Sequence, residues 1–191
     1  MITEVYDLET IINLFTYTGY CIQTKQYYQF VIHNSINQLE ELYEHLRQPQ
    51  MVQVGFNNEN FDYPLIHYII SNYDRLSYAT PSELTAELYK EAQRLIRGEE
   101  YNVIPDRKKY IPQVDLFLIW HYNNNARRTS LKDLEFAMNM PNIEEMPIKH
   151  DQYCSYEEIS SELNLPIGTV KAQLHRAKTL LYNILIKTGN R

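Results

Sequence analysis

Met51 to Ile70, MVQVGFNNENFDYPLIHYII, places two structural signals in direct succession. Met51 to Phe56 is a buried-type strand ending in an Asn-rich turn. Phe61 to Ile70 then starts a helix, with Pro64 near its first turn, where proline is tolerated. Just upstream, Ile36, Leu39, Leu42, Tyr43 and Leu46 recur at helical spacing, with Glu40, Glu41 and Glu44 on the opposite side. A strand that feeds a helix after a helical crossover predicts α/β structure with parallel strands.

Working outward, Val5 to Leu8 and Tyr27 to His33 (YYQFVIH) read as strands, rich in β-branched and aromatic residues. The pattern loosens from Tyr73 to Pro112, where one helix (Pro81 to Arg97) and a charged, turn-rich segment around Pro105 suggest an insertion on the scaffold. Gln113 to Trp120 (QVDLFLIW) is the most apolar run and predicts a central strand, followed by a helix from Ser130 to Met138. Pro141 and Pro147 mark a linker. There is no internal repeat and no low-complexity tract.

A chain of 191 residues suits one core plus a small appendage. Met1 to Thr10 has no basic stretch leading into an apolar run, and no window approaches the ~20 apolar residues of a membrane span. A soluble protein, neither secreted nor bound to membrane, is expected. Cys21 and Cys154 are far apart and lack metal-type spacing, which argues against a disulfide framework or zinc and fits a reducing cytoplasm. The net charge of -6 argues against a broad electrostatic grip on nucleic acid. The sign is uneven, however. From Cys154 onward Lys171, Arg176, Lys178, Lys187 and Arg191 outnumber Glu157, Glu158 and Glu162, so the tail is +2 and the remainder -8. An acidic metal-dependent core joined to a DNA-binding helix would read this way, and so would ordinary solvated charge.

Asp7 and Glu9, two apart on a predicted strand, point to one face, as two hard oxygen ligands for a divalent ion must. An exposed strand end gives the same pattern. Asp62 adds a carboxylate after the Met51 to Phe56 strand, at the sheet edge where open α/β folds build their sites. These stretches resemble the DEDD-type 3′–5′ proofreading exonuclease domains of phage DNA polymerases. Their first motif, Asp-x-Glu, is matched by Asp7 and Glu9. Their second, Asn-x(2–3)-Phe/Tyr-Asp, is matched by Asn58, Phe61 and Asp62 within VGFNNENFDYPLI, and VDLFLIW with SLKDLEFAMNMP looks like the strand and helix that follow.

The resemblance spans about residues 1–150 and implies a ribonuclease-H-like mixed sheet flanked by helices. It also implies a pair of Mg²⁺ or Mn²⁺ ions, with Asp7 bridging both and Glu9 and Asp62 each helping to hold one. Asn58 and Phe61 would position the terminal nucleotide of a single-stranded 3′ end; read without the resemblance, they are a turn asparagine and a core aromatic. The family's last motif, Tyr-x-x-x-Asp or His with a following Asp, is missing: four residues after Tyr156 stands Ser160, and five after His150 stands Ser155. Asp115 and Asp151 are substitutes for the fourth carboxylate, although Asp115 also reads as a strand-edge residue. Loss of that ligand predicts impaired activity.

Ser155 to Leu181, SYEEISSELNLPIGTVKAQLHRAKTLL, reads as helix, turn, helix. Ser155 and Glu158 form a capping-box pattern, and Asn164 with Pro166 stops the first helix. Ile159, Leu163, Leu165, Val170, Leu174 and Leu181 make an apolar seam, with Lys171, Gln173, His175, Arg176 and Lys178 outside it. The stretch resembles region 4 of sigma factors over about residues 155–187, which implies Thr169, Lys171, Gln173 and Arg176 facing duplex DNA, Lys178 on phosphate, and a DNA or RNA polymerase as a further partner. An amphipathic helix pair packed on the first domain is the plainer reading. Gln173 stands where Arg is usual, MPIKHDQYC replaces the preceding helix, and nothing resembles sigma region 2, so a complete sigma factor is excluded. The sequence therefore reads as two units, residues 1–150 and 151–191, whose resemblances both break near residues 150–155. It fits an exonuclease-like domain fused to a DNA-binding helix-turn-helix, through natural recombination, a phage-encoded fusion or a misassembled reading frame, working in the cytoplasm, the host's if phage-encoded. The rivals are a regulator on a catalytically dead exonuclease scaffold and a nonfunctional fusion.

Overall fold

The computed structural model describes residues 1–98, 102–122 and 129–137. Strand β1 (Ile2–Ile11) turns through Ile12 and Asn13 into antiparallel β2 (Leu14–Cys21), which pairs with antiparallel β3 (Gln26–His33). Two residues, Ile36–Asn37, add β4 beside β3. Helix α1 (Leu39–Leu46) crosses back, and β5 (Met51–Gly55) lies parallel to β1 from Ile2 to Val5. Beyond it β6 (Gln113–Asp115) runs parallel to β5. The order is β4-β3-β2-β1-β5-β6. Strands β1, β3, β5 and β6 run one way, and β2 is reversed between β1 and β3.

Pleating sorts the residues of β1: Glu4, Tyr6, Leu8 and Thr10 are buried, whereas Val5 and Asp7 are exposed and Glu9 is half-buried. Tyr6 and Leu8 join Phe15, Tyr17 and Ile32 in one core with α1, α2 (Asp62–Ser71), α3 (Tyr73–Leu76) and α4 (Pro81–Arg97). Leu84, Leu88, Ala92 and Leu95 of α4 repeat at helical spacing and all enter that core. Each fully buried leucine contributes about 1.5–3 kcal/mol. The ends of α4 are fixed locally. The Thr80 backbone N–H donates to Glu83 Oε2 at 2.9 Å and the Glu83 N–H to Thr80 Oγ1 at 3.4 Å, Pro81 opens the first turn, and Gly98 ends the helix at φ 62°.

The sheet and helices bear out the mixed α/β class, and the Pro81 to Arg97 helix has its expected bounds. Several expectations are corrected. The opening strand is longer than Val5 to Leu8, and β2 was not foreseen. Ile36 belongs to β4 rather than to the helix, because β3 needs a partner at Ile32 and His33. α4 is part of the main core, so Tyr73 to Pro112 is not a surface insertion. The run QVDLFLIW is not a central strand: β6 is a three-residue edge strand, and Leu116–Trp120 forms helix α5, started by the Phe117 N–H donating to Asp115 Oδ1 at 2.9 Å. Helix α6 (Leu131–Ala137) falls within the Ser130 to Met138 expectation. The linker, the helix-turn-helix with Thr169, Lys171, Gln173, Arg176 and Lys178, and Asp151 lie outside the described residues, as does the boundary between the two units.

Candidate active site

β5 stops at Gly55 and its pairing with β1 stops at Val5, so the second half of β1 runs past the end of its neighbour. Asp62, in the first turn of α2, sits beside this free stretch. Its carboxyl is pushed up to about 8, first by burial and then by the negative charge of Asp7, with Glu9 adding to it; the backbone N–H groups of Asp62 and Leu8 pull the other way. Asp7 is exposed as a residue, yet burial around its carboxyl raises it too, opposed by the Leu8 N–H. Asp62 thus feels the charges of two carboxylates from a segment distant in sequence. Among the described residues no group of three or more His, Cys, Asp or Glu is close enough, as placed, to hold a metal ion.

What delivers Asp62 to β1 is the turn Asn57 to Asn60. Asn57 takes a left-handed conformation, φ 62°, which asparagine tolerates better than most residues. The Asn60 side chain donates to Asn57 Oδ1 at 2.9 Å, and the Tyr63 N–H to the Asn58 carbonyl at 2.8 Å. Gly55 permits the turn to fold tightly over the strand end, since a Cβ there would come within 2.7 Å of the Asn58 Cβ. Lys109 Nζ lies 2.6 Å from Glu59 Oε1 and 2.8 Å from Asp106 Oδ1, tying the turn to the segment before β6. Asp115, 4% exposed, accepts three backbone N–H groups: Asn57 on Oδ1 at 2.8 Å, Phe117 on Oδ1 at 2.9 Å and Glu59 on Oδ2 at 3.1 Å.

Asn58 and Phe61 are placed differently from the three carboxylates. Asn58 is fully buried; its Nδ2 donates to Gln113 Oε1 at 2.9 Å and to the Tyr6 hydroxyl at 3.5 Å, while its Oδ1 has no hydrogen-bond partner among the described residues. Phe61 is half-buried against the main core. From Asn58 a buried polar chain runs beneath the helices. The Tyr6 hydroxyl donates to Gln113 Oε1 at 3.0 Å, Gln113 Nε2 to Gln53 Oε1 at 2.9 Å, and Gln53 Nε2 to the Tyr17 hydroxyl at 2.9 Å. The Tyr17 hydroxyl donates to Glu4, which is fully buried and pairs with His45 Nε2 at 2.9 Å. Gly19 leaves the space for that carboxylate. Burial first, then the Asp62 charge, holds the Tyr6 hydroxyl well above its ordinary range, and it stays protonated.

Sequence reasoning singled out Asp7, Glu9 and Asp62 and did not point to Tyr6, Gln53 and Gln113 of the polar chain or to the Glu59 and Lys109 pair. Glutamine inside strands was a usable signal, because a polar side chain in an apolar run needs a buried partner. A family model described as Sigma-70, region 4, matches residues 152–181, so the tail is similar to a DNA-binding helix-turn-helix, with DNA as the partner this likeness suggests. No curated protein and no solved structure matches the chain. Among the described residues no helix is long and apolar enough to cross a membrane.

Proposed function

We propose that the chain is a nucleic-acid protein whose first domain is a ribonuclease-H-like 3′–5′ exonuclease unit of proofreading type, acting on single-stranded ends, with a DNA-binding tail. The observation that carries this reading is the placement of Asp62 beside the free stretch of β1, where burial first, and then the charges of Asp7 and Glu9, push its carboxyl up to about 8. Strand order supports it, with β2 reversed beside a central β1 and helices packed in one core with the sheet. The donor set suits a hard divalent ion such as Mg²⁺ or Mn²⁺, which would relieve the repulsion that raises Asp62. Asp7, Glu9 and Asp62 would hold the ions, drawing closer than they stand in the free protein. When bound, such ions supply a water nucleophile at neutral pH and stabilise the leaving oxygen. The chain's own part is to deliver three anionic oxygens and to release the Asp62 proton. Without a Tyr-x-x-x-Asp motif, activity is weaker than in a complete family member.

A second reading, a DNA-binding regulator on an inactive exonuclease scaffold, draws on Asp115. The carboxylate considered as a substitute fourth ligand is taken up by three backbone donors. The match of the tail to sigma region 4 favours the same reading. Incubating purified protein and its Asp7→Ala variant with 3′-labelled single-stranded DNA and Mn²⁺ separates the two. Slow shortening by the parent protein that Asp7→Ala abolishes is the expected result. Equal shortening by both proteins, or none by either, defeats the exonuclease reading.

A further inference from the structure

Three features of Asp115 stand apart from an ordinary strand-end carboxylate. It is buried, both of its oxygens accept backbone N–H groups, and two of those donors, Asn57 and Glu59, belong to the turn that leads into Asp62. The third donor, Phe117, starts α5. A carboxylate that receives several backbone donors makes charge-assisted bonds, about twice as strong as neutral ones. The donors come from residues 56 and 58 positions away in sequence, so Asp115 fixes the turn across the sheet edge. Only Asn60 and Phe61 separate Glu59 from Asp62, whose carboxyl must stay beside Leu8 to remain within reach of Asp7 and Glu9.

We infer that Asp115 is the positioning residue of the candidate site, holding the Asn57 to Glu59 turn so that Asp62 meets Asp7 and Glu9. The inference rests on the exonuclease reading above and assigns Asp115 no contact with substrate or ion. It also accounts for a carboxylate at this position where no fourth ligand is needed to explain it. The two oxygens have separable duties. Oδ1 serves Asn57 and the start of α5, whereas Oδ2 serves Glu59 alone. Asp115→Asn keeps an acceptor for the α5 cap and sets an NH₂ group against the Glu59 N–H, so it loosens the turn more than the helix.

The test is Mn²⁺ binding to the full-length chain by calorimetry at 15 °C, with melting temperatures measured alongside. Four proteins are compared: the parent, Asp62→Ala, Asp115→Asn, and Thr80→Ala. The last removes the α4 cap and serves as a destabilised control remote from the turn. Outer-shell substitutions that orient ligands cost roughly 10–100-fold in metal affinity, and Asp115→Asn should fall at about 10-fold. Thr80→Ala should bind as the parent does while melting lower, and Asp62→Ala should lose most of the binding. Parent-like affinity in Asp115→Asn overturns the inference and leaves the exonuclease reading standing. Equal weakening in Asp115→Asn and Thr80→Ala also overturns it, since the effect would then be general loosening. Absence of Mn²⁺ binding by the parent protein defeats the exonuclease reading, and the inference with it.

Discussion

Gly19→Ala should be among the most damaging single changes available in the sheet, although it adds one methyl group. Gly19 faces Tyr6 across the β1–β2 pair. A Cβ at Gly19 would lie 2.0 Å from Glu4 Oε1 and 2.7 Å from its Cδ, far inside any real contact. The carboxylate has nowhere to retreat. Glu4 is fully buried, with the Tyr17 hydroxyl and His45 Nε2 on its oxygens and the rings of Tyr17 and His45 close together at 5.8 Å. Displacing it separates the Glu4–His45 pair, and breaking a buried pair costs about 3–5 kcal/mol because a charge is left uncompensated. With a typical urea m-value of roughly 1–3 kcal/mol/M, the midpoint should fall by more than about 1 M without a change in m. Urea unfolding followed by circular dichroism measures this directly. The cycle with Glu4→Ala supplies the mechanism: once the struck atoms are gone, Gly19→Ala should cost less than about 1 kcal/mol, a coupling of at least ~2 kcal/mol. A cost below ~1 kcal/mol in the parent protein, or the same cost in both backgrounds, would refute the argument.

Raising the pH from about 4 towards 8 should reduce folding stability through Asp62, because the folded protein keeps a proton that the unfolded chain, with an aspartate near 3.9, has already released. Asp62→Asn should remove that slope in urea titrations at several pH values, and an unchanged slope would place its origin elsewhere. For the same reason Mn²⁺ binding at pH 7 should release close to one proton, read from calorimetry in buffers of different ionisation enthalpy, and affinity should level off above pH 8. Leu88→Ala should cost about 2–5 kcal/mol by chemical denaturation, since Leu88 is fully buried where α4 meets the sheet core; a loss under 1 kcal/mol would return α4 to the status of an insertion. In the tail, Arg176→Glu should weaken duplex binding alike on all sequences and flatten its salt dependence by about 0.9 per lost phosphate contact, whereas unaltered binding would point to a packing role for the helix pair.

Local patterns were sufficient for some elements and misleading for others. α4 was legible because its caps and its apolar spacing agree: Thr80 and Glu83 begin it, Gly98 ends it, and Leu84, Leu88 and Leu95 line one side. The β1–β2 hairpin was not, since Ile12-Asn13 is a turn without glycine and lies between the apolar residues Ile11 and Leu14. QVDLFLIW misled because hydrophobicity was taken for burial in a strand. Leu116, Leu118, Ile119 and Trp120 are exposed, and the Asp115 side chain starts a helix at the point where the apolar run continues. For the candidate site, the Asp-x-Glu spacing and the Asn-Phe-Asp string were readable as motifs. The network around them was not, because Gln53, Gln113 and Tyr6 acquire their meaning only from pairings 36 to 107 residues apart.

The placement of β1 between a neighbour close in sequence and one forty residues later bears on the order in which a nascent chain can mature. β1, β2 and β3 can meet as soon as the segment up to His33 has left the ribosome, because their contacts are local. At that stage Glu4 and Tyr17 lack His45 and Gln53, and Asp7 and Glu9 have no Asp62 beside them. The young meander is therefore an open sheet with a polar centre, and it becomes a finished core only when α1, β5 and α4 arrive. Asp62 joins Asp7 and Glu9 only once α2 has packed against β1, so a chain interrupted before Asp62 would carry two of the three carboxylates of the candidate site.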